Sequence, residues 1–362
     1  MDAIGALRRL VEVNSFTGNR AGVREVAALV AAMFADLGFR ARHIGEHLVL
    51  ERVGVRGPTC LLVGHLDTVY RENFPWREEG GRIHGPGVCD MKGGIVVMAM
   101  ALRELGGSPD VTLLFNATEE GGCADFPPLA RGFVKPGTRA CLVFEPGLEA
   151  EGGATTLVVE RKGSGRFRVS ATGREAHSGH SHEKGASAIR ELARAVERIE
   201  SQTDYPRGVT FNVGTIEGGT TVNSVPGRAS MSLDLRAWTP GDFAWGRTRA
   251  LALAGPGSVP GTHVEVTELP GYPPWPANEG SRALGEKACA LGAEMGMKLV
   301  AQRRGGGSDG CHLWDIVPTL DGLGPVGRNP HVSTGPDPES VDPASFLPRA
   351  KLAAALLRKL LA

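Results

Sequence analysis

The stretch VTLLFNATEEGG, residues 111–122, joins a short apolar run to two adjacent carboxylates, Glu119 and Glu120, and then to a pair of glycines. The apolar run at 111–117 has the length and composition of a fully buried strand. Two like charges placed side by side where such a strand ends repel each other. The pair therefore indicates either a solvated turn or a functional site at the edge of a sheet.

Three further apolar runs also predict buried strands. They are TCLLVGH (59–65), ACLVFEP (140–146) and IVPTLDG (316–322). The segment MKGGIVVMAMALREL (91–105) predicts a buried helix, and helical spacing also recurs near the amino terminus, at about 3–13 and 21–37. Strands that alternate with helices predict an α/β fold with a mainly parallel sheet and helices on both faces.

The middle of the chain follows a different pattern. Strand-like segments at 165–173, 208–216, 229–237 and 262–269 are interrupted by helical segments at 184–201 and near 242–254. This β-α-β-β-α-β order is that of a ferredoxin-like α+β domain. We therefore predict a small domain at 163–268, inserted into a larger domain formed by residues 1–162 and 269–362.

The composition argues against several classes of function. Lysine plus arginine equals aspartate plus glutamate at 40 each, which is not the balance of a general nucleic-acid or anionic-membrane binder. No apolar stretch approaches the length that spans a bilayer, and the amino terminus lacks the apolar core of a signal peptide. The six cysteines are scattered without a CxxC pair, which predicts reduced thiols in a cytoplasmic protein.

Acidic and histidine residues follow the predicted strands, begin the predicted helix or lie in the loop beyond the last strand. They are His65 and Asp67 in GHLDTV, Asp90 in GPGVCDMKGG, Glu119 and Glu120 in ATEEGG, Glu145 in VFEPG, and His331 in GRNPHVSTG. The carboxyl ends of the strands of an open α/β sheet face one crevice, so we expect these side chains to converge. Several carboxylates in one crevice would repel each other unless a cation lay among them.

Each residue also has a simpler interpretation. An aspartate before a helix, such as Asp90, is most often a cap, and a single histidine after a strand is more often hydrogen-bonded than metal-bound. Five separate segments that all end in metal-type ligands favour the joint interpretation. Imidazole and carboxylate ligands without a thiolate suit zinc, with cobalt or manganese as alternatives. Two ions about 3.5–4 Å apart would share a bridging carboxylate.

The motifs GHLDTV, GPGVCDMKGG, TEEGG, FEPG and NPHVSTG resemble those of a zinc-dependent amidohydrolase and metallopeptidase family. That family contains glutamate carboxypeptidase, acetylornithine deacetylase, succinyl-diaminopimelate desuccinylase and aminoacylase, and the glutamate carboxypeptidase branch looks closest. The resemblance covers nearly the whole chain. It implies a discontinuous di-zinc catalytic domain at 1–162 and 269–362, and a lid domain at 163–268 through which a homodimer would form.

The resemblance also implies a role for each candidate residue at the sheet edge. Asp90 would bridge two Zn²⁺ ions per subunit, His65 and Glu145 would complete the site of one ion, and Glu120 and His331 that of the other. Glu119 would be the general base, which explains the adjacent carboxylates by giving each a different task. Asp67 would orient His65. The peptide bond between Asp90 and Met91 would be cis.

Four more residues match positions of the family that lie near the substrate. His177, in GREAHSGHSHEKGASAI, would reach the active site of the neighbouring subunit and help to hold the substrate carbonyl. Asn223 matches an asparagine loop, and Arg236, in SLDLRAW, is a candidate clamp for the substrate carboxylate or else a strand-surface ion pair. Gly306 lies in GGGSDG, whose backbone amides could face a carboxylate or which could be a flexible turn.

The predicted activity is hydrolysis of an amide bond next to a free carboxylate, by a carboxypeptidase or an N-acyl-amino-acid deacylase. An aminopeptidase or dipeptidase of the same fold is the first alternative, and a catalytically silent metal-binding protein is the second. We expect a small peptide or an N-acyl amino acid as substrate, and neither nucleic acid nor a membrane as partner. The segment TELPGYPPWP (267–276) lacks the basic residue with which the glutamate carboxypeptidase branch holds a glutamate side chain, so strict preference for C-terminal glutamate is not expected.

Overall fold

The computed structural model describes residues 1–52, 59–107, 109–122 and 124–362. The described chain forms two compact units. The first contains Met1–Glu160, Ala277–Arg304 and Ser308–Ala362, and the second contains Arg161–Pro276 and Gly305–Gly307. Five of the cysteines are free thiols, and Cys123 lies outside the described residues.

A six-stranded sheet forms the centre of the first unit. Its strands, in order across the sheet, are Arg40–Ile44, His47–Glu51, Val111–Asn116, Thr59–His65, Thr138–Val143 and Thr319–Leu320. The last four of these strands run parallel to one another, and the first two add an antiparallel hairpin at one edge. The predicted α/β fold with a mainly parallel sheet is confirmed, and the antiparallel edge was not predicted from the sequence.

Helices cover both faces of this sheet. They are Ala3–Glu12, Arg20–Ala35, Lys92–Leu105, Phe126–Gly132, Glu279–Glu294 and Phe346–Leu361. All except Phe126–Gly132 contribute to a large core on one face, to which Leu62 also belongs. Leu61 and Val63 point to the other face, where they pack with Phe126. Burial on both faces explains why the run at 59–65 is apolar throughout instead of alternating.

The predicted strand at 316–322 is shorter in the structure than in the sequence prediction. Only Thr319–Leu320 pairs with the sheet, next to Cys141 and Leu142. Pro318 has no N–H to donate to a ladder, and Gly322 has a left-handed backbone with φ 78°. These two residues confine the pairing to Thr319 and Leu320. This short strand nevertheless belongs to the six-stranded sheet of the first unit, as the sequence predicted.

The second unit has an antiparallel five-stranded sheet. Its strands, in order, are Thr210–Gly218, Arg228–Ala237, Gly163–Thr172, His263–Tyr272 and Gly255–Pro256, and its helices are Ala188–Glu200 and Pro240–Leu251. Both helices pack on one face of the sheet, around buried residues such as Leu192 and Leu235. The unit runs to Pro276 rather than to the predicted boundary at 268, because its strand His263–Tyr272 continues past that residue.

Smaller strands complete both units. A five-stranded sheet in the first unit contains Arg77–Glu79, Arg82–His84, Ser340–Val341, Val326–Arg328 and Gly147–Leu148, and two-stranded pairs join Thr155–Arg161 to Leu299–Arg304 and Ala176–His177 to Ser224–Val225. In the first of these sheets Ser340 pairs with His84, so the segment after His331 lies beside the segment before Asp90. No helix in the described ranges is long and apolar enough to cross a membrane.

Candidate metal centre

The candidate ligands of the first unit converge at one edge of its six-stranded sheet. Three of its strands end there and carry or precede the ligands, because the strands are parallel. Ligand atoms lie within 4.8 Å of one another in three groups: His65 with Asp90 and Glu145; His65 with Glu119 and Glu120; and Asp90 with Glu120 and His331. The structure thus brings together every residue at which the sequence predicted a ligand or the general base.

Asp90 stands between the two histidines. Its Oδ1 lies 3.0 Å from Nε2 of His65, and its Oδ2 lies 3.3 Å from Nε2 of His331. It does not cap the helix Lys92–Leu105, because the N-cap position belongs to Met91 and no side chain caps it. The peptide bond between Asp90 and Met91 is cis, as the resemblance implied. One carboxylate therefore presents an oxygen to each side of the centre.

Glu145 and Glu120 lie on opposite sides of Asp90. Oε1 of Glu145 is 3.6 Å from Nε2 of His65, and Oε2 of Glu120 is 3.2 Å from Nε2 of His331. Gly94 permits close packing of its helix against the segment that carries Glu145. A Cβ at position 94 would lie only 1.9 Å from the carbonyl oxygen of Phe144, the residue that precedes Glu145. The glycine pair in MKGG thus lets the helix that follows Asp90 pack directly against the strand end that carries Glu145.

His331 adopts an uncommon backbone conformation. Its φ is 68°, and that of Asn329 is 51°, both in the left-handed region. Asparagine and histidine are among the residues that tolerate this region, and such positions cluster at functional sites. The Asn329 side chain donates to the carbonyl and the carboxylate of Asp337 at 2.9 and 2.8 Å. These bonds hold the loop in the conformation that turns the His331 ring towards Asp90.

Buried side chains hold the turn that carries Glu119 and Glu120. Four successive backbone amides each donate to one acceptor: Ala117 to His47 Nδ1, Thr118 to Asn116 Oδ1, Glu119 to Asp67 Oδ1 and Glu120 to Asp67 Oδ2, at 3.1, 3.0, 3.0 and 3.2 Å. The Glu119 residue is only 8% exposed. The interpretation of the pair as solvated turn residues is therefore wrong, because both carboxylate side chains are largely buried.

Asp67 contacts His65 mainly through its backbone. Nδ1 of His65 lies 3.0 Å from the Asp67 carbonyl oxygen and 3.5 Å from Asp67 Oδ1. The Asp67 carboxylate also accepts a hydrogen bond from the Thr17 hydroxyl at 2.6 Å, besides those from the amides of Glu119 and Glu120. Asp67 thus links His65 to the turn of Glu119 and Glu120, whereas the sequence predicted a contact with His65 alone.

Burial and like charges act together on the acidic ligands. Burial raises the pKa values of Glu119 and Glu145 well above their usual range, and it also raises that of Glu120. The negative charge of Asp90 is the next cause at Glu120 and Glu145. Such crowding is unfavourable for carboxylates unless positive charge lies among them.

The carboxylates also act on the two histidines. Hydrogen bonds to Asp90 and Glu120 raise the pKa of His331 to about 11. Burial disfavours the charged form of His65, yet its contacts with Asp67 and Asp90 raise its pKa well above the usual value. Burial alone would also raise the pKa of Asp90, but hydrogen bonds from His331 and His65 hold it below its usual range. A cluster of carboxylates and imidazoles with these interactions has the donors that divalent transition metals prefer.

Several residues around the centre were not predicted from the sequence. They are Thr17, His47, Tyr70, Asn116, Asp309 and Glu339. Asn116 Nδ2 donates to Asp309 Oδ1 at 2.8 Å, and burial raises the pKa of Asp309 to about 7. Asn116 had a detectable signal, a polar residue that interrupts an apolar run, whereas Glu339 in GPDPESVD has the flanking residues of an exposed turn.

The predicted substrate residues His177 and Asn223 lie side by side in the second unit. His177 pairs with Ser224 across a two-stranded ladder, and the amide of Ser178 donates to the Asn223 carbonyl at 3.0 Å. The His177 residue is exposed, and its Nδ1 accepts hydrogen bonds from the amides of Gly179 and His180, both at 3.1 Å. This arrangement leaves Nε2 of the exposed ring pointing away from its own turn.

Arg236 and Gly306 also belong to the second unit. Arg236 Nε donates to Asp234 Oδ2 at 2.7 Å, which is the strand-surface ion pair considered as the simpler interpretation. A carboxylate clamp at Arg236 would have to compete with Asp234. The carbonyl of Gly306 accepts from Nη1 of Arg161 at 2.9 Å. The carbonyl groups of this glycine segment therefore have a structural partner within the unit.

Comparisons with known proteins agree with this geometry. The sequence model of the family described as Peptidase family M20/M25/M40 matches residues 61–359. The chain is 30% identical over 375 residues to Carboxypeptidase G2 from Pseudomonas sp. (strain RS-16), which covers 99% of this chain and 89% of that protein. It is 26% identical over 365 residues to succinyl-diaminopimelate desuccinylase from Leptothrix cholodnii, covering 91% of this chain and 92% of that protein.

A solved structure shares the fold at lower sequence identity. The aminopeptidase PepT from Bacillus cereus superimposes with a TM-score of 0.71 at 21% identity, covering 99% of this chain and 98% of that chain. At that identity the likeness concerns the arrangement of helices and strands alone.

Proposed function

Since the chain belongs to peptidase family M20/M25/M40 and is thereby a hydrolase of amide bonds, we propose that it cleaves an amide bond next to a free carboxylate. It would act as a carboxypeptidase of the glutamate carboxypeptidase type or as an N-acyl-amino-acid deacylase. Similarity to Carboxypeptidase G2 over 99% of this chain, and to a succinyl-diaminopimelate desuccinylase over 91%, supports this pair of activities. The structural observation that supports hydrolysis at a two-metal centre is the Asp90 carboxylate, which faces His65 with one oxygen and His331 with the other.

We assign the donors at the sheet edge to two Zn²⁺ ions per subunit, with Co²⁺ or Mn²⁺ as alternatives. His65 and Glu145 would hold one ion, Glu120 and His331 would hold the other, and Asp90 would serve both. The grouping of ligand atoms supports this division, because Asp90 belongs to one group with His65 and Glu145 and to another with Glu120 and His331. When bound, ions of this kind lower the pKa of a water molecule and polarise a carbonyl oxygen.

Glu119 is the proposed general base. Its carboxylate lies within 4.8 Å of ligand atoms of His65 and Glu120, yet it does not belong to either group that contains Asp90. It would accept a proton from the attacking water and later give that proton to the departing amine. The hydrogen bonds from the amides of Glu119 and Glu120 to Asp67 fix the backbone of the pair, from which one side chain would bind a metal ion and the other would move protons.

The second unit would supply contacts to the substrate. His177 and Asn223 would hold the scissile carbonyl, in a site that the family resemblance assigns to the neighbouring subunit of a homodimer. Arg236 and the segment around Gly306 would bind the free carboxylate, and the short distance between Arg236 and Asp234 indicates that the substrate must displace an existing ion pair. The cytoplasmic location stays a prediction from the sequence.

A substrate panel tests the proposal directly. Metal-stripped protein is incubated with Zn²⁺, Co²⁺ or Mn²⁺ and with N-acyl amino acids, N-blocked dipeptides and free-amine dipeptides, each with a free or an amidated carboxyl terminus. We expect amine release from substrates that have a blocked amine and a free carboxylate, and loss of release with a chelator. Elemental analysis of the reconstituted protein should give two ions per chain.

Two outcomes would contradict the proposal. Cleavage of free-amine dipeptides with equal rates for free and amidated carboxyl termini would indicate an aminopeptidase. Retention of two ions without turnover on any member of the panel would indicate a silent metal-binding protein. The matched amidated substrates make the first distinction, because they differ from the preferred ones only by the loss of one negative charge.

A further inference from the structure

Glu339 is a fully buried carboxylate next to the candidate metal centre. It is 0% exposed. Its Oε1 accepts hydrogen bonds from the backbone amides of Cys89 and Asp90 at 2.9 and 3.0 Å. Its Oε2 accepts from the amide of Gly87 at 3.2 Å and from the hydroxyl of Tyr70 at 2.5 Å. The side chain therefore holds the segment that ends in Asp90.

All four of these contacts bring a donor to the Glu339 carboxyl group. An ionised carboxylate only accepts hydrogen bonds, whereas a protonated carboxyl or an amide must also donate. Hydrogen bonds to an ionised acceptor are roughly twice as strong as those between neutral groups. The four donors thus match the ionised form of Glu339 and fix the backbone of Gly87, Cys89 and Asp90 more firmly than a neutral side chain would.

The backbone of Glu339 reaches the second candidate ligand loop. Its amide donates to the carbonyl of Val332 at 2.8 Å, one residue beyond His331. The next residue, Ser340, pairs with His84 in the small sheet of the first unit. One residue therefore contacts the loop of Asp90 with its side chain and the loop of His331 with its main chain.

We propose that Glu339 is a positioning residue that sets the separation between Asp90 and His331. The proposal rests on the metal centre proposed above. It explains why a second buried carboxylate lies beside Asp90, where its charge opposes that of the ligand. Burial of a charge is unfavourable unless good hydrogen bonds compensate it, and here the compensating donors belong to the segment that must be positioned. Glu339 would touch neither substrate nor metal.

The test is the affinity of the metal-free protein for Zn²⁺, measured by competition with a coloured chelator. The variant Glu339→Gln keeps the shape but replaces one oxygen by an NH₂ group, which cannot accept from an amide or from Tyr70. We expect the dissociation constant of at least one ion to rise about 10–100-fold, the usual effect of changing a residue that orients ligands. The visible spectrum of the Co²⁺-loaded variant should change as well, because it reports the coordination geometry.

Two further variants provide the controls. Tyr70→Phe removes one hydroxyl donor and leaves the three amide contacts, so it should weaken Zn²⁺ binding less than Glu339→Gln. Glu149→Gln removes a carboxylate that pairs with Arg82 and Arg328 beside the same small sheet, and it should leave Zn²⁺ affinity unchanged. Thermal unfolding of the metal-free proteins separates a loss of stability from a loss of metal affinity.

A lowered unfolding temperature in Glu339→Gln with wild-type Zn²⁺ affinity and Co²⁺ spectrum would overturn the proposal, because it would leave only a structural role. If that variant does not fold, Glu339→Asp is measured instead. It keeps the charge but is one methylene shorter, and wild-type affinity in it would equally overturn the proposal. Failure of the wild-type protein to bind Zn²⁺ would instead contradict the metal centre itself.

Discussion

The turn that carries Glu119 and Glu120 and the turn that carries His177 are held in place by different kinds of contact. In the first unit, most amides of the turn donate to buried side chains from distant parts of the chain, and Asp67 alone accepts two of these hydrogen bonds. In the second unit, the His177 ring is exposed and accepts from the amides of its own turn. The first turn is therefore fixed by buried side chains, and the second by backbone pairing with Ser224 and by contacts within the turn itself.

This difference predicts how each turn responds to substitution. The side chains of Glu119 and Glu120 can be changed without loss of the hydrogen bonds that hold their turn, since those bonds join backbone amides to side chains of other residues. Their substitution should therefore alter chemistry or metal binding and little else. Substitution of His177 in the exposed turn should act on substrate binding or turnover without effect on the metals.

The largest expected effect on turnover is that of Glu119→Gln. The substitution removes the proposed base but keeps the hydrogen bond that the backbone amide of residue 119 donates to Asp67 Oδ1. Loss of general base catalysis should lower kcat by about 10²–10⁴-fold with a small change in KM. Both metals should remain, as measured by elemental analysis of the purified variant.

Glu120→Gln is the matched control for that prediction. It changes the neighbouring carboxylate, which lies 3.2 Å from His331, and should lower the metal content together with the activity. Full activity in Glu119→Gln would refute the assignment of the base. Equal metal loss in both variants would show that the two carboxylates do not have separate tasks.

Much of this centre was predictable from the sequence because each ligand follows a feature of local structure. His65, Glu119 and Glu145 come at or after apolar runs, and parallel strands bring such positions to one edge. Asp67 was assigned to His65 alone, because the sequence carries no information about which amides will face its second oxygen. Glu339 was missed for the same reason, since three of its four partners are backbone amides that lie 249 to 252 residues away in the sequence.

The fold was predictable to a similar depth. Buried strands and amphipathic helices gave the architecture, because hydrophobic periodicity depends on local sequence. The hairpin at 40–51 was not predicted, since its first strand, Arg40–Ile44, is largely exposed and lacks an apolar pattern. The end of the inserted unit was placed too early, because the strand His263–Tyr272 includes Pro270 and Gly271, which normally indicate the end of a strand.

The next effect in size is that of His177→Ala. Removal of a group that holds the substrate carbonyl should lower kcat by about 10²–10³-fold. The metal content should not change, because His177 belongs to none of the three ligand groups found in the described residues. His180→Ala is the control, since it keeps the hydrogen bond from the His180 backbone amide to the His177 ring and removes only an edge-to-face ring contact at 6.4 Å. It should retain wild-type turnover.

A mixing experiment extends this prediction to the proposed dimer. Coexpressed His177→Ala and Glu119→Gln chains would form mixed dimers in which one site has both an intact base and an intact histidine. Statistical pairing should restore roughly a quarter of the wild-type activity. Activity no higher than that of the two variants measured separately would contradict a site shared between subunits.

The smallest expected effect concerns stability. It sharpens the comparison of the two turns, because the second unit also has a loop that is held by a buried carboxylate, that of Glu191. Glu191 accepts from the amide of Val259 at 2.7 Å and from the hydroxyls of Ser258 and Thr262 at 3.0 and 3.2 Å. Glu191→Gln should lower the free energy of unfolding at pH 7 by about 1–3 kcal/mol. It should leave kcat unchanged, since this loop carries no candidate substrate residue.

The pH dependence of that effect follows from the pKa of Glu191. Burial opposes its ionisation, but hydrogen bonds from Val259 and Ser258 outweigh burial and lower the pKa. A carboxylate with a lowered folded-state pKa stabilises the protein above its unfolded value of about 4.3, and this contribution is lost as the pH falls through the folded-state pKa. Urea unfolding should therefore show the difference between wild type and Glu191→Gln in full at pH 7 and reduced below about pH 4. The exposed Glu265→Gln is the control, and a difference that did not shrink in acid would assign the loss to packing instead of charge.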